Sequence, residues 1–491
     1  MIGLGMSAPR PSSSLHRVRK SVREVFLPDG RDPFGGVGTT LLLVFVAIGP
    51  FLYGSVSELA ARAFPGGAVR PTGALLLGLL AFAAAAAAAF SKSRLAAPRP
   101  LRVPLAAVIA LAGFGIVQIL PLPVEVLTRI APANLKTYHE AGEILTLFSE
   151  GALGPRISIA PGETLERVLL FLSYAALFLA AAALLRSRPR RRVFAATLVG
   201  AAAIRILLAA GPEFSGHPFP EAFDDPRAFA AYLLIVLSVA FGTLWAEVLM
   251  GPDRAPATAD KAERFEKRFL PLTVRFLAWG LIAVGIAWTE SRAGILVAAI
   301  TTLILLALAV VHRRIGFRRR AAMAGALAVL AAALFVATAA GPFRPFLEAD
   351  ARELGANWRV RFWRVALETW RESPLVGSGL GTFPEAFRRV QPREIVGPIE
   401  HVHSDFLQLL VTGGYVGTAL GFLLFTTLLG ALFMAWRRQR HREESALALA
   451  GIGSLVAVVL HGLLEFNFSV PVIPATLACV LGSAWAAGSE R

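Results

Sequence analysis

The sequence predicts an all-α, polytopic integral membrane protein, a helical bundle of about twelve transmembrane helices with one long loop between the ninth and tenth. Three observations carry this. Of 491 residues, 56% are hydrophobic, and the mean hydropathy is +0.63. The apolar residues run in blocks about 20 long, the length a bilayer core needs, and lack the amphipathic spacing of a soluble helix. The Lys and Arg residues fall mostly in short clusters between the blocks, where they act as topology signals.

Taken in order, the spans are expected at 37–57, 72–90, 103–121, 165–185, 193–210, 228–250, 273–290, 294–312, 321–340, 405–436, 446–466 and 470–488. The polar segment 1–36, with Arg17, Arg19, Lys20 and Arg23, is too long for a secretory signal peptide and reads as a cytoplasmic basic tail. Residues 37–340 then hold the first nine spans, 341–404 an outer loop with an amphipathic helix, and 405–491 the last three spans. The basic runs at 186–192, 313–320 and 437–442 all fall on the cytoplasmic side, so both termini are expected there. A net charge of +16 with pI near 11.1 would suit nucleic acid, but this distribution assigns the charge to membrane topology and makes lipids the partner. The single cysteine, Cys479, excludes an intramolecular disulfide and a cysteine-based metal site. The Ala-rich run 82–89 suits close helix packing.

Two outer segments, 122–164 and 341–404, are long enough to expect a function of them. Between the seventh and eighth spans, Thr289-Glu290-Ser291-Arg292-Ala293-Gly294 must turn the chain back with Arg292 at its tip, either as a plain polar turn or as a contact for phosphate. Residues 361–372 place Trp363, Ala366, Leu367 and Trp370 on one helical stripe and Arg361, Arg364, Glu368 and Arg371 on the other. The arginines of that helix can face anionic lipid or a pyrophosphate, which suits their planar charged fork. The turn 374–383 alternates glycines at Gly377, Gly379 and Gly381. It is either a simple glycine-rich connection or a place where N–H groups approach an anion.

His401-Val402-His403-Ser404-Asp405 opens the tenth span, with Ser404 as N-cap and Asp405 in the first turn. His403, at the membrane surface, is a candidate general base, and the H-x-H spacing has no third ligand nearby to make a metal site. Arg205, a turn from the outer end of the fifth span, is either functional or snorkelling. His461 and Glu465 share a face at i and i+4 and are expected to pair, and Asp224 and Asp225 before Pro226 are the only candidate for a metal-binding pair or, as such acids more often are, a helix cap.

In their order along the chain these motifs resemble the O-antigen ligase and O-antigen polymerase superfamily of bacterial envelope glycan assembly, over roughly 120–485. The matching pieces are Leu120-Pro121-Leu122-Pro123, Ser291-Arg292-Ala293-Gly294, the stretch 361–383, His403-Ser404-Asp405-Phe406-Leu407-Gln408 with Gly414 and Gly417, and the stretch 461–468. The resemblance implies a bundle like those of the lipid-linked sugar transferases (GT-C-like), in the bacterial inner membrane, with its site and long loop periplasmic. It implies transfer of a glycan from undecaprenyl pyrophosphate to an acceptor hydroxyl, on lipid A core for a ligase or on another glycan for a polymerase, with no cofactor and no metal. By position, His403 matches the residue that activates the acceptor, and Arg292 and Arg361 match arginines that hold the pyrophosphate. Arg205, Arg364, Arg227, Gly379 and Gly381 are further candidates for the substrate. Thr412 and the pair Asp225 and Arg227 stand where relatives often carry Glu and Asn, departures that touch acceptor recognition. The competing class is a transporter or flippase of lipid-linked glycan. Against it, the two halves of the chain look unlike and the suspicious charges gather at one face.

Overall fold

A computed structural model of the protein describes residues 32–63, 72–91, 102–147, 154–209, 225–250, 261–311, 325, 358–395, 397–439 and 441–489. The helices are α1 (Pro33–Ala63), α2 (Thr72–Phe90), α3 (Arg102–Ile119), α4 (Val124–Ile130), α5 (Pro132–Leu147), α6 (Pro161–Leu184), α7 (Arg188–Ala209) and α8 (Pro226–Met250). They continue with α9 (Lys261–Trp288), α10 (Arg292–Val311), α11 (Trp358–Glu372), α12 (Phe383–Val390), α13 (Asp405–Arg438), α14 (Arg442–Gly462) and α15 (Val472–Ser489). No strand occurs among the described residues. Nine of these helices are long and apolar enough to cross a membrane, and α15 is a shorter apolar helix. Eleven of the expected spans fall on helices. The ninth, 321–340, the tail 1–31, the run 313–320, the loop stretch 341–357 and Asp224 lie outside the described residues, Gly325 excepted.

The burial of each helix follows from its composition. Helix α8 is apolar all round, and 89% of its spanning window is buried. It is the axis of the bundle, packed against α7, α9, α10, α14 and α15. Helix α9 is the opposite case, with 17% of its window buried and Phe269, Leu270, Val274, Phe276 and Leu277 pointing outward, as a lipid-facing helix requires. Because lipid tails are as apolar as the side chains, helix contacts depend on close packing at small residues. A Cβ on Gly242 would stand 2.7 Å from Ala450 Cβ, and one on Gly482 would stand 2.4 Å from the Phe178 carbonyl oxygen.

At the basic end of the bundle, α7 and α14 are joined by ions. Arg188 Nε lies 2.7 Å and the fully buried Arg191 Nη2 3.4 Å from Glu444, while Arg192 forks onto both oxygens of Glu443 at 2.7 Å. Arg190 and Arg191 also donate to the Leu184 and Leu185 carbonyls, which end α6. Cations at a helix C-terminus stabilise its unpaired carbonyls.

At the opposite end the described parts of the two outer segments form one cap. Asn134 Nδ2 donates to the Ile157 and Gly377 carbonyls at 2.7 and 2.9 Å, and Ser373 Oγ donates to Asn134 Oδ1 at 3.0 Å. Arg389 bridges Thr137 and Glu372. Helix α11, where the stripe pattern predicts it, turns Val365, Ala366 and Thr369 inward, and Trp363 Nε1 donates to the Val402 carbonyl at 3.1 Å. Its apolar face thus packs on α12 and the start of α13.

Helix α13 is far longer than the roughly 20 residues a bilayer needs, and it is broken at Gly414, where φ is 60° and ψ −161°. A break inside a membrane protein is tolerated only when every freed backbone group finds a partner. Here the segment 374–379 supplies them. Ser378 and Gly379 N–H donate to the Val411 and Thr412 carbonyls at 3.1 and 3.0 Å, and Tyr415 and Val416 N–H donate to the Pro374 and Leu375 carbonyls at 2.9 and 3.1 Å. Gln118, buried in the last turn of α3, closes the joint. Its Nε2 donates to the Val376 and Thr412 carbonyls, and its Oε1 accepts from Leu380 N–H at 2.9 Å. The nine-residue stub that precedes the break is therefore locked to the cap, and its N-terminus carries His403.

Candidate functional site

Ser404 caps α13 as the sequence predicts, its Oγ accepting from Leu407 N–H at 3.4 Å. Immediately before it, His403 takes a left-handed backbone with φ 53°, a conformation costing roughly 1–3 kcal/mol in a residue with a side chain. Its ring lies edge-on to Trp358 and Phe466 at centroid distances of 4.8 and 4.9 Å, and 18% of the side chain is exposed. Nδ1 lies 3.2 Å from Glu465 Oε2. The same carboxylate receives Arg359 at 2.6 Å and Arg227 at 3.7 Å on Oε1. Burial works to raise the Glu465 pKa, but the His403 hydrogen bond and the charges of Arg359 and Arg227 outweigh it and hold the carboxyl below its usual range. Glu465 is also tied through its main chain, since Asp405 N–H donates to its carbonyl at 3.1 Å.

Around this core the loop 463–470 wraps the start of α13. Asp405 accepts from Phe468 N–H at 3.2 Å, Gln408 Nε2 donates to Ser469 Oγ at 3.1 Å, and Arg167 Nη1 reaches the Phe468 carbonyl at 3.4 Å. His401 stacks on Phe466 with centroids 4.4 Å apart. Burial, aided by the Arg167 charge, lowers its pKa to about 4.

The sequence-predicted residues are placed as follows. Arg227 joins the cluster directly, and Asp225 accepts from Arg227 N–H at 2.8 Å as the cap of α8. Arg292 is exposed at the first position of α10, after a turn in which Gly294 N–H donates to the Ser291 hydroxyl at 3.1 Å. A Cβ on Gly294 would meet Ala230 Cβ at 2.9 Å, so Arg292 and Arg227 open adjoining helices at one end of the bundle. Arg205 is buried, its guanidinium 5.8 Å from the Phe229 ring in the first turn of α8, again at that end. Arg361 and Arg364 lie on the exposed stripe of α11. The arginine of that helix on Glu465 is Arg359, which the sequence reading passed over. Gly379 corrects its expectation: its N–H is spent on Thr412, and a Cβ there would stand 2.5 Å from Ser158 Oγ, so it serves the connection and not an anion. Gly381, with φ 90°, lies against Glu163 and Arg167. The expected His461–Glu465 pair is corrected too. Helix α14 ends at Gly462, Glu465 swings to His403, and His461 Nδ1 meets Asn467 Oδ1 at 2.8 Å.

An apolar cavity of about 450 Å³ lies between α3, α6, α13, α14 and α15, walled by Val108, Phe171, Phe178, Phe425 and Leu477. Its lining also includes Arg167 of α6 and, from the first turn of α13 just after His403, Asp405 and Gln408. Among the described residues no group of three His, Cys, Asp or Glu side chains could hold a metal ion.

Fold and site together define a multi-pass helical membrane protein whose one capped end gathers an imidazole, a carboxylate and several guanidinium groups beside an apolar cavity. Residues 277–422, from α9 to the middle of α13, match the family model described as O-antigen ligase. The resemblance to the O-antigen ligase and polymerase superfamily holds, and with it the general class of a glycosyltransferase-like, O-antigen-ligase-type membrane enzyme. The chain matches no curated protein. The matched segment contains Arg292, Arg359, Arg361 and His403; Arg227 and Glu465 come to the site from outside it.

Proposed function

We propose that the protein transfers a glycan from undecaprenyl pyrophosphate to an acceptor hydroxyl at the periplasmic face of the bacterial inner membrane, both chain termini being cytoplasmic. The observation that carries this reading is His403, held at the start of a locked half-helix with its ring bonded to Glu465 and partly open to solvent. In the reaction the acceptor oxygen forms a bond to the anomeric carbon of the donor glycan. The carbon–oxygen bond to the diphosphate breaks, its electron pair leaving with undecaprenyl pyrophosphate, and the hydroxyl proton passes to the His403 imidazole. A hydroxyl is a weak nucleophile, so a positioned base contributes roughly 10²–10⁴-fold. The departing diphosphate needs positive charge, for which Arg292, Arg361, Arg364, Arg205 and Arg227 at the capped end are the proposed sources. The apolar cavity suits a long isoprenoid tail, and Asp405 and Gln408 of its lining follow His403 directly in the chain.

The test is transfer by purified protein in nanodiscs, given undecaprenyl-pyrophosphate-linked oligosaccharide and either lipid A core or free glycan as acceptor. Wild type should transfer, and Arg292→Ala should lose about 100-fold. The acceptor used separates ligase from polymerase. Absence of transfer to either acceptor, while the lipid-linked donor crosses a bilayer, would replace this reading with the transporter.

A further inference from the structure

We propose that Glu465 is the positioning residue of the site: it holds His403 as the Nδ1–H tautomer, so that the lone pair sits on Nε2, free to take the acceptor proton. This rests on the reading of His403 as the base.

The two oxygens of the carboxylate divide their work. Oε1 takes the guanidinium groups of Arg359 at 2.6 Å and Arg227 at 3.7 Å, and Oε2 is left to the imidazole at 3.2 Å. An ionised carboxylate only accepts hydrogen bonds, so the ring nitrogen facing it must carry the proton, and in the neutral imidazole the other nitrogen then holds the lone pair. The His403 hydrogen bond and then the charges of Arg359 and Arg227 hold the Glu465 carboxyl below its usual range despite its burial. The arginines also fix its rotation, since turning the carboxylate toward His403 with both oxygens would break the 2.6 Å contact to Arg359. The ring is held from the sides by Trp358 and Phe466. The Asp405 N–H bond to the Glu465 carbonyl sets the spacing between the two residues through the backbone as well. An acid that served only to neutralise Arg359 and Arg227 would need none of this bearing on the histidine. Glu465 therefore acts through His403, as the third group of a nucleophile–base–orienter arrangement does.

The test compares full-length wild type, Glu465→Ala, Glu465→Asp and His403→Ala in proteoliposomes, with undecaprenyl-pyrophosphate-linked oligosaccharide as donor and lipid A core or free glycan as acceptor. Turnover, donor KM, thermal midpoint and the ¹⁵N shifts of labelled His403 are read together. Wild type should show protonated Nδ1 and bare Nε2. Glu465→Ala should move the ring toward Nε2–H and lower kcat about 100-fold or more, with donor KM changed only a few-fold. Glu465→Asp should restore part of both the tautomer and kcat. If Glu465→Ala does not fold, Glu465→Asp alone reads the same quantities, a displaced carboxylate shifting tautomer and kcat together. A folded Glu465→Ala with the wild-type tautomer or with kcat within about twofold overturns the inference while leaving a silent His403→Ala, and so the base, intact. A His403→Ala protein that turns over normally overturns both.

Discussion

The two ends of the bundle each bury a glutamate among arginines, and they put it to different uses. At the basic end Glu444 Oε1 takes Arg188 and the fully buried Arg191, and Glu443 takes a two-pronged Arg192. These ion pairs join α7 to α14. At the capped end Glu465 shares its oxygens between two arginines and an imidazole that stays partly open to solvent. The first is a clamp, for which only persistence matters. The second is a site, in which one member of the cluster must face outward. The comparison teaches that a buried carboxylate with arginines is no functional sign by itself. What separates the two is a histidine in a left-handed backbone, at the end of a broken helix, on the shared carboxylate.

Substitutions should separate the two clusters. The largest effect is expected from His403→Ala, which should lower transfer about 10²–10⁴-fold, far more than its loss of ring packing lowers the thermal midpoint, measured by turnover per folded molecule in nanodiscs and by a melting curve on one preparation. Next comes Glu444→Gln, which takes one partner from a buried ion pair and should destabilise the fold by about 3–5 kcal/mol, seen in denaturant unfolding, with turnover per folded molecule retained. Gly414→Ala should destabilise by about 3 kcal/mol, because φ is 60° and its Cβ would stand 2.5 Å from the Leu375 carbonyl carbon. It tests whether the joint between α13 and 374–379 belongs to the site, since a loosened joint should also slow transfer.

The smallest effect is a pH dependence. His401 is buried and neutral with its pKa lowered to about 4, whereas an unfolded histidine titrates near pH 6.5. Between those values the unfolded chain binds the extra proton. Stability should thus be full above pH 6.5, fall by about 1 kcal/mol per pH unit at the steepest as pH drops, and level below about 4. His401→Phe, which keeps an aromatic ring on Phe466, should flatten that slope in melting curves taken from pH 7.5 to 4.5.

Apolar length made the spans legible, and the N-cap, turn and stripe signals located α13, the turn at Arg292 and helix α11. The same logic misread Glu465. Leu463, Leu464 and Phe466 continue the hydrophobic run of α14, so the chain looks helical to residue 466, although the helix stops at Gly462 and frees Glu465 to turn toward His403. Arg359 was hidden because its helix begins only one residue before it, ahead of the stripe that runs from Arg361. Gln118 was passed over as one polar residue in an apolar span, since its partners lie 258 to 294 positions away in the chain. The break in α13 did leave a signal. A span expected over 405–436 is well beyond the roughly 20 residues a bilayer takes, and it carries the pair Gly413 and Gly414.

The measurement that bears most directly on this division is a paired one, turnover and unfolding free energy of His403→Ala and Glu444→Gln in the same nanodiscs. The account predicts that His403→Ala loses transfer per folded molecule and less stability than Glu444→Gln, while Glu444→Gln loses stability and keeps its transfer per folded molecule. Transfer at the wild-type rate by His403→Ala, or a Glu444→Gln protein as stable as wild type, would contradict it.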